Sequence, residues 1–176
     1  MVQASAPGKC ILFGEHAVVY GQPAVAVAID QRMSVSLEKN DVWRIDGMRF
    51  IPERHPHVEA LKQRLWQDGP SLSIKVNGDI PPASGLGSSA ALSVAASAAL
   101  RCARGRQIKD DDWGEGWTAA RPNSVYKGPW AVEKGDSVEF GRKSVDVDEC
   151  AILSHAVEAS AQGGRASPLD SSTCSH

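Results

Sequence analysis

Met33, Val35 and Leu37 alternate with Ser34 and Ser36, and Leu72, Ile74 and Val76 alternate with Ser73 and Lys75. A period of two is the pattern of a strand with one face against a core. Cys10 to Phe13 and Ala24 to Ile29 are continuous apolar runs, partly β-branched, which predict buried strands. Between the alternating segments, His57 to Trp66 carries Val58, Leu61 and Leu65 at helical spacing. After Pro81 the period lengthens: Leu92, Ala95, Ala99 and Ala103 fall on one stripe of a helix running to about Arg104, whose small residues predict close packing. A last helix is predicted from about Glu149, capped by Asp148 and stopped at Gly163 and Gly164, carrying His155 and Glu158. These elements predict a mixed α+β sandwich.

Composition narrows the class. A chain of 176 residues with 42% hydrophobic residues can bury one core, or an N-terminal domain and part of another. A net charge of −2 without a dense basic stripe argues against nucleic acid as a partner. Cys10, Cys102, Cys150 and Cys174 are widely spaced with no C-x-x-C pair, so neither a zinc site nor a disulfide framework is indicated, and reduced thiols fit a cytoplasmic protein. No apolar run reaches the ~18 residues of a membrane span, and the N-terminus leaves no room for a signal peptide. No membrane association is expected.

The densest chemical signal is Pro81-Pro82-Ala83-Ser84-Gly85-Leu86-Gly87-Ser88-Ser89-Ala90-Ala91, a glycine-rich loop opening into an alanine-rich helix. Gly85 and Gly87 allow positive φ and close approach of a ligand, and the first helical turn leaves N–H donors unpaired. Ser88 and Ser89 are good N-cap residues whose hydroxyls can also reach a phosphate oxygen or a bound metal. A tight turn is the plainer alternative. The loop lacks the Gly-Lys-Ser/Thr of a Walker A motif. Gly85, Gly87 and Ala90 satisfy G-x-G-x-x-A, with Asp110 to Asp112 downstream, but Pro81 and Pro82 separate the glycines from the strand that a dinucleotide fold requires.

A second constellation lies near the N-terminus, where Lys9, Glu15 and His16 interrupt the apolar, glycine-punctuated stretch Ala6 to Ala24. Singly they read as a solvated strand end, a surface charge and a satisfied core histidine; together they suggest a polar site. Pro7-Gly8-Lys9 with Leu12, Gly14, Glu15 and His16, followed by the Pro81 to Ala91 loop, closely resembles the GHMP small-molecule kinases, specifically the branch that phosphorylates mevalonate. Val157 to Ser171 is similar to a third signature of the archaeal members.

The resemblance, over residues 4 to about 105 and about 148 to 176, implies a GHMP kinase N-terminal domain of the ribosomal protein S5 domain 2-like type. It implies ATP as co-substrate, Mg²⁺ as cofactor and mevalonate as phosphoryl acceptor, with a homodimer as a possible assembly. On that reading Asp170 and Lys9 are catalytic, Glu15 and His16 bind substrate, and Pro82, Ala83, Ser84, Gly85, Leu86, Gly87, Ser88, Ser89 and Ala90 hold the phosphates. Ser89 and Glu158 are the metal ligands; Gly163 and Gly164 add one residue before Asp170 relative to many members. Without the motifs, Asp170 reads as an Asx turn after Pro168, and His155 as a core or surface histidine.

Two departures remain. The family continues into a second half with another glycine-rich stretch, so the resemblance implies an incomplete chain with its C-terminal domain largely missing. Residues 107–147 form an unfamiliar insert with Trp113, Trp117 and Trp130, between a first domain segment 1–106 and a resumed segment 148–176. It reads as a surface loop, a tryptophan-bearing binding appendage, or, the favoured reading, a stretch not translated in the functional protein. Another GHMP kinase with a different alcohol substrate, or a non-catalytic nucleotide-binding fragment, are the alternative functions.

Overall fold

The computed structural model describes residues 1–16, 20, 22–67, 69–110, 147–163 and 166–175. The strands are β1 (Val2–Phe13), β2 (Val25–Lys39), β3 (Arg44–Ile45), β4 (Met48–Arg49) and β5 (Leu72–Gly78). The helices are α1 (Pro56–Leu65), α2 (Ser88–Asp110), α3 (Val147–Ala161) and α4 (Pro168–Ser175). One mixed sheet has the order β1-β2-β5-β3-β4, antiparallel except for the parallel pairing of β3 with β5. The α+β expectation holds. Residues 111–146, which include Trp113, Trp117, Trp130 and most of the expected insert, lie outside the described residues.

Register puts alternate side chains on one face. Val2 pairs with Leu37 and Ala4 with Val35, and across the next seam Val35 pairs with Val76 and Leu37 with Ile74. Val2, Ala4, Ala6, Val35, Leu37, Leu72 and Ile74 are buried on that face, while Gln3 and Ser5 point away and are exposed. β1 therefore begins well before the expected Cys10, because Val2, Ala4 and Ala6 carry a period of two that small residues make faint. The other end of the β1–β2 hairpin departs from expectation. Leu12 is 49% and Phe13 74% exposed, and Val25 and Val27 are exposed too. These runs do form strands, but no described element covers that end.

The helices lie on the buried face. α2 was expected to bury one stripe, yet Ala90, Ala91, Val94, Ala95, Ala96, Ala99, Leu100, Cys102 and Ala103 are all buried. The helix packs against β1 and β2 on one side and α1, α3 and α4 on others. Alanine and serine around its circumference let neighbours approach from every direction, and a helix apolar all round is a buried one. It runs to Asp110, beyond the expected end near Arg104, and α3 begins two residues before the expected Glu149.

β3 and β4 were not anticipated. Asp46 and Gly47 join them with φ of 49° and 79°, the two-residue turn for which Asp-Gly is the strongest local signal. Asp46 Oδ1 accepts the Val76 N–H at 2.8 Å, tying the hairpin to β5. His57, in the first turn of α1, is half-buried, and burial lowers its pKa from 6.5. The folded state then binds the proton more weakly than the unfolded chain, so stability is lost as pH falls from about 6.5 through the lowered value. Thermal unfolding should show that loss, and His57→Asn should flatten it.

Candidate active site

The site begins at a bulge. The β1–β2 register passes from Pro7 opposite Arg32 to Lys9 opposite Ala28, and the irregularity at Gly8 re-aims Lys9, as bulges do. Gly8 has no room for a side chain: a Cβ there would lie 2.8 Å from Leu86 O and 2.9 Å from Ile80 Cδ1. The next residue, Lys9, donates its N–H to the same Leu86 carbonyl at 2.9 Å. The strand thus grips the glycine loop through its backbone. Gly8→Ala should push the loop off β1 and lower stability by about 1–3 kcal/mol, as overpacking does, measured by urea unfolding.

Within the loop, Gly85 and Gly87 take φ of 76° and 75°, as the sequence implies. A Cβ on Gly87 would stand 2.8 Å from Lys9 Cγ, so the Lys9 stem lies across this glycine. Ala83 also has positive φ, 58°, a conformation that costs an alanine energy and that no sequence signal announced. Ser84 Oγ donates to Pro81 O at 2.7 Å and accepts the Leu86 N–H at 3.4 Å, bracing the loop internally. Pro82 to Gly85 are exposed, Leu86 to Ser89 half-buried and Ala90 buried.

The N-cap assignment of Ser88 and Ser89 is corrected. The Ala91 N–H bonds to Gly87 O at 2.9 Å, so Gly87 occupies the cap and the two serines are the first residues inside α2. The N–H groups of Ser88, Ser89 and Ala90 have no intrahelical acceptor, and the first turn contains no acidic residue. The positive end of the helix dipole thus opens on the loop, an arrangement that suits an anion.

Ser89, turned inward, donates its hydroxyl to Glu158 Oε1. Glu158 is only 3% exposed, and burial pushes its carboxyl above the ordinary range, with the Ser89 hydrogen bond opposing and the Asp170 charge adding to the rise. His155, one turn earlier on α3, draws the value down, while its own buried Nδ1 has no hydrogen-bond partner among the described residues. Asp170 lies in the first turn of α4, where Pro168 opens the helix and a carboxylate is favoured by the dipole. This is a helical turn rather than an isolated Asx turn. Lys9 Nζ stands 3.2 Å from Asp170 Oδ1, with side chains 8% and 25% exposed.

Strand β1, the glycine loop, α2, α3 and α4 thus bring together Lys9, Gly87, Ser89, Glu158 and Asp170. A buried carboxylate with a hydroxyl oxygen against it is a hard-oxygen donor set that fits Mg²⁺. No group of three or more His, Cys, Asp or Glu suited to a metal occurs among the described residues, so phosphate oxygens and water would complete such a shell. Cys174, read from the sequence only as one of four widely spaced thiols, lies beside this site. It follows Asp170 by one helical turn, and its thiol is pushed up to about 12, chiefly by burial, with Asp170 and Glu158 adding and Lys9 opposing. Glu15 and His16 are exposed in the turn after β1 and, with Ile11 to Gly14, line an open cavity of about 430 Å³. Neither is bonded to the Lys9–Asp170 pair in the structure.

Residues 56–119 match the family described as GHMP kinases N terminal domain. The chain is 45% identical over 131 residues to the mevalonate kinase of Methanothermobacter thermautotrophicus, spanning 69% of this chain and 41% of that protein. It is 48% identical over 105 residues to that of Archaeoglobus fulgidus, spanning 55% and 36%. The chain therefore spans about two fifths of the length of the curated relatives it matches. Among solved structures, a mevalonate kinase superposes with a TM-score of 0.63 at 22% identity, over 99% of this chain and 51% of that one. The L. major mevalonate kinase in complex with R-mevalonate superposes at 0.60 and 20% identity, over 100% and 47%. Over residues 56–119, the glycine loop included, the chain thus carries the match to the GHMP kinases N-terminal domain, and it is similar to archaeal mevalonate kinases over about two fifths of their length.

Proposed function

We propose that this chain is the phosphate-holding part of a mevalonate kinase, which transfers the γ-phosphoryl group of ATP to the C5 hydroxyl of mevalonate. The observation that carries the reading is the Lys9–Asp170 ion pair at 3.2 Å, whose lysine stem crosses Gly87 of the phosphate loop. Phosphoryl transfer asks a protein for little covalent chemistry and much positioning and charge compensation. The free N–H groups of Ser88 to Ala90 receive phosphate oxygens. Ser89 and Glu158 would hold Mg²⁺, which when bound supplies positive charge against the phosphates.

Asp170 orients the acceptor hydroxyl and takes its proton, while Lys9, paired with it at 3.2 Å, stabilises the oxygen anion as it forms. Glu15 and His16 contact mevalonate from the turn beyond β1, His16 facing the carboxylate and Glu15 the 3-hydroxyl end. The identity of 45% and 48% to archaeal mevalonate kinases supports this substrate; a cytoplasmic location and a homodimer are part of the same proposal by family resemblance alone. A substrate panel tests the choice: with the C-terminal half of an archaeal relative supplied, mevalonate should be turned over in preference to galactose, homoserine and phosphomevalonate. A better rate with any of these would overturn it.

A further inference from the structure

Gly85 and Gly87 share one backbone conformation, with φ of 76° and 75°, yet their surroundings differ. A Cβ added to Gly85 would meet nothing within 4 Å, whereas one on Gly87 would stand 2.8 Å from Cγ, 3.2 Å from Cε and 3.5 Å from Cδ of Lys9. Three successive methylenes of the lysine thus lie along Gly87 where a side chain would stand. The stem has little freedom to move aside. The Lys9 backbone N–H is bonded to Leu86 O at 2.9 Å, its Nζ stands 3.2 Å from Asp170 Oδ1, and the residue is 6% exposed. Held at both ends in close packing, the stem can yield to an added methyl group only by releasing one end. The backbone end is tied into β1 and the loop, so the ammonium end is the one to give.

We infer that Gly87 is a positioning residue for Lys9: the space left by its missing side chain is the bed on which the lysine stem lies with its ammonium aimed at Asp170. This rests on the roles given above to Lys9 and Asp170. Positive φ alone accounts for a glycine at position 85; position 87 carries the further requirement of empty space. Gly87 O also accepts the Ala91 N–H at the start of α2. One backbone position therefore caps the helix whose free N–H groups face the phosphates and sets the path of the lysine that faces the acceptor hydroxyl.

The test compares Gly87→Ala with Gly85→Ala in the whole chain, since both place an alanine at nearly the same φ and only the first meets Lys9. In protein labelled with ¹³C at lysine Cε, the Lys9 signal, assigned by its loss in Lys9→Arg, should shift when Asp170→Asn removes the facing charge. That response should persist in Gly85→Ala and disappear in Gly87→Ala, where the pair is already parted. A response kept in full by Gly87→Ala, or lost equally in both glycine variants, overturns the positioning role. Melting curves give a second reading that does not need a well-folded variant at room temperature. Gly87→Ala should melt about 2–4 °C below Gly85→Ala, the shift of modest overpacking in a chain of this size. In a Lys9→Ala background, where the stem is gone, the two should melt together. A gap that is absent, or that persists in that background, overturns the role as well. A Lys9 signal that ignores Asp170→Asn in the otherwise unaltered chain overturns the ion pair itself, and with it the observation that carries the proposed function.

Discussion

Asp170→Asn is expected to slow phosphoryl transfer to mevalonate by about 10²–10⁴-fold, the usual contribution of a positioned general base, with the affinity for Mg²⁺ and ATP largely kept. The substitution preserves shape and the first turn of α4 but removes the charge facing Lys9 at 3.2 Å. An amide can still accept a hydrogen bond from the lysine; it cannot take a proton from the acceptor hydroxyl. The proposed nucleotide contacts come from the loop and the start of α2, which this change does not touch. The loss should therefore fall on kcat, with KM for ATP little changed. A proportional rise in KM for ATP, or near-normal turnover, would mean that Asp170 holds the fold or the nucleotide and does no chemistry.

Glu158→Gln is expected to produce two opposite effects. The folded-state pKa of Glu158 is raised by burial, so the folded protein holds this proton more tightly than the unfolded chain, and stability is lost as pH rises from the ordinary carboxylate range through the raised value. A neutral glutamine removes that loss, so without metal the variant should melt higher than the parent at neutral pH, and the difference should vanish in acid. Added Mg²⁺ with ATP should stabilise the parent by binding its folded state and should do little for the variant. Melting curves across pH, with and without Mg²⁺ and ATP, check both effects. A variant that melts lower than the parent in the absence of metal would show that the carboxylate is held by the fold for its hydrogen bonds and not for a cation.

Some of this was legible in the residues and some was not, for identifiable reasons. The alternation of Met33 to Leu37 and Leu72 to Val76 gave two strands because large apolar side chains marked one face. Val2, Ala4 and Ala6 carry the same period but are mostly small, and the first half of β1 passed unseen. The Asp46-Gly47 turn was written in plain signal and overlooked, since strands of two residues have almost no pattern of their own. α4 was hidden because Ser171, Ser172 and Thr173 are poor helix formers; the helix depends on its packing against β1, α2 and α3.

At the site, Gly85, Gly87 and Lys9 announced their chemistry through the company they keep. The Ser89–Glu158 contact joins residues 69 positions apart, and only resemblance to a family suggested it beforehand. The bulge at Gly8 and the path of the Lys9 stem across Gly87 are products of tertiary packing, and no local motif would have singled either out. The exposed apolar end of the β1–β2 hairpin shows the same limit from the other side. Its composition predicts burial, but what covers such a run is decided by elements elsewhere.

The central claim is that Lys9, Asp170 and the glycine loop form part of a mevalonate-phosphorylating site. It is tested most directly by joining residues 1–176 to the C-terminal half of the Methanothermobacter relative and following transfer from ATP to mevalonate by ³¹P NMR, beside the same protein carrying Asp170→Asn. A phosphomonoester of mevalonate that builds up with the parent and is reduced at least a hundredfold in rate with the variant is the predicted result. ATP binding without any transfer to mevalonate, or equal transfer by both proteins, would contradict the account.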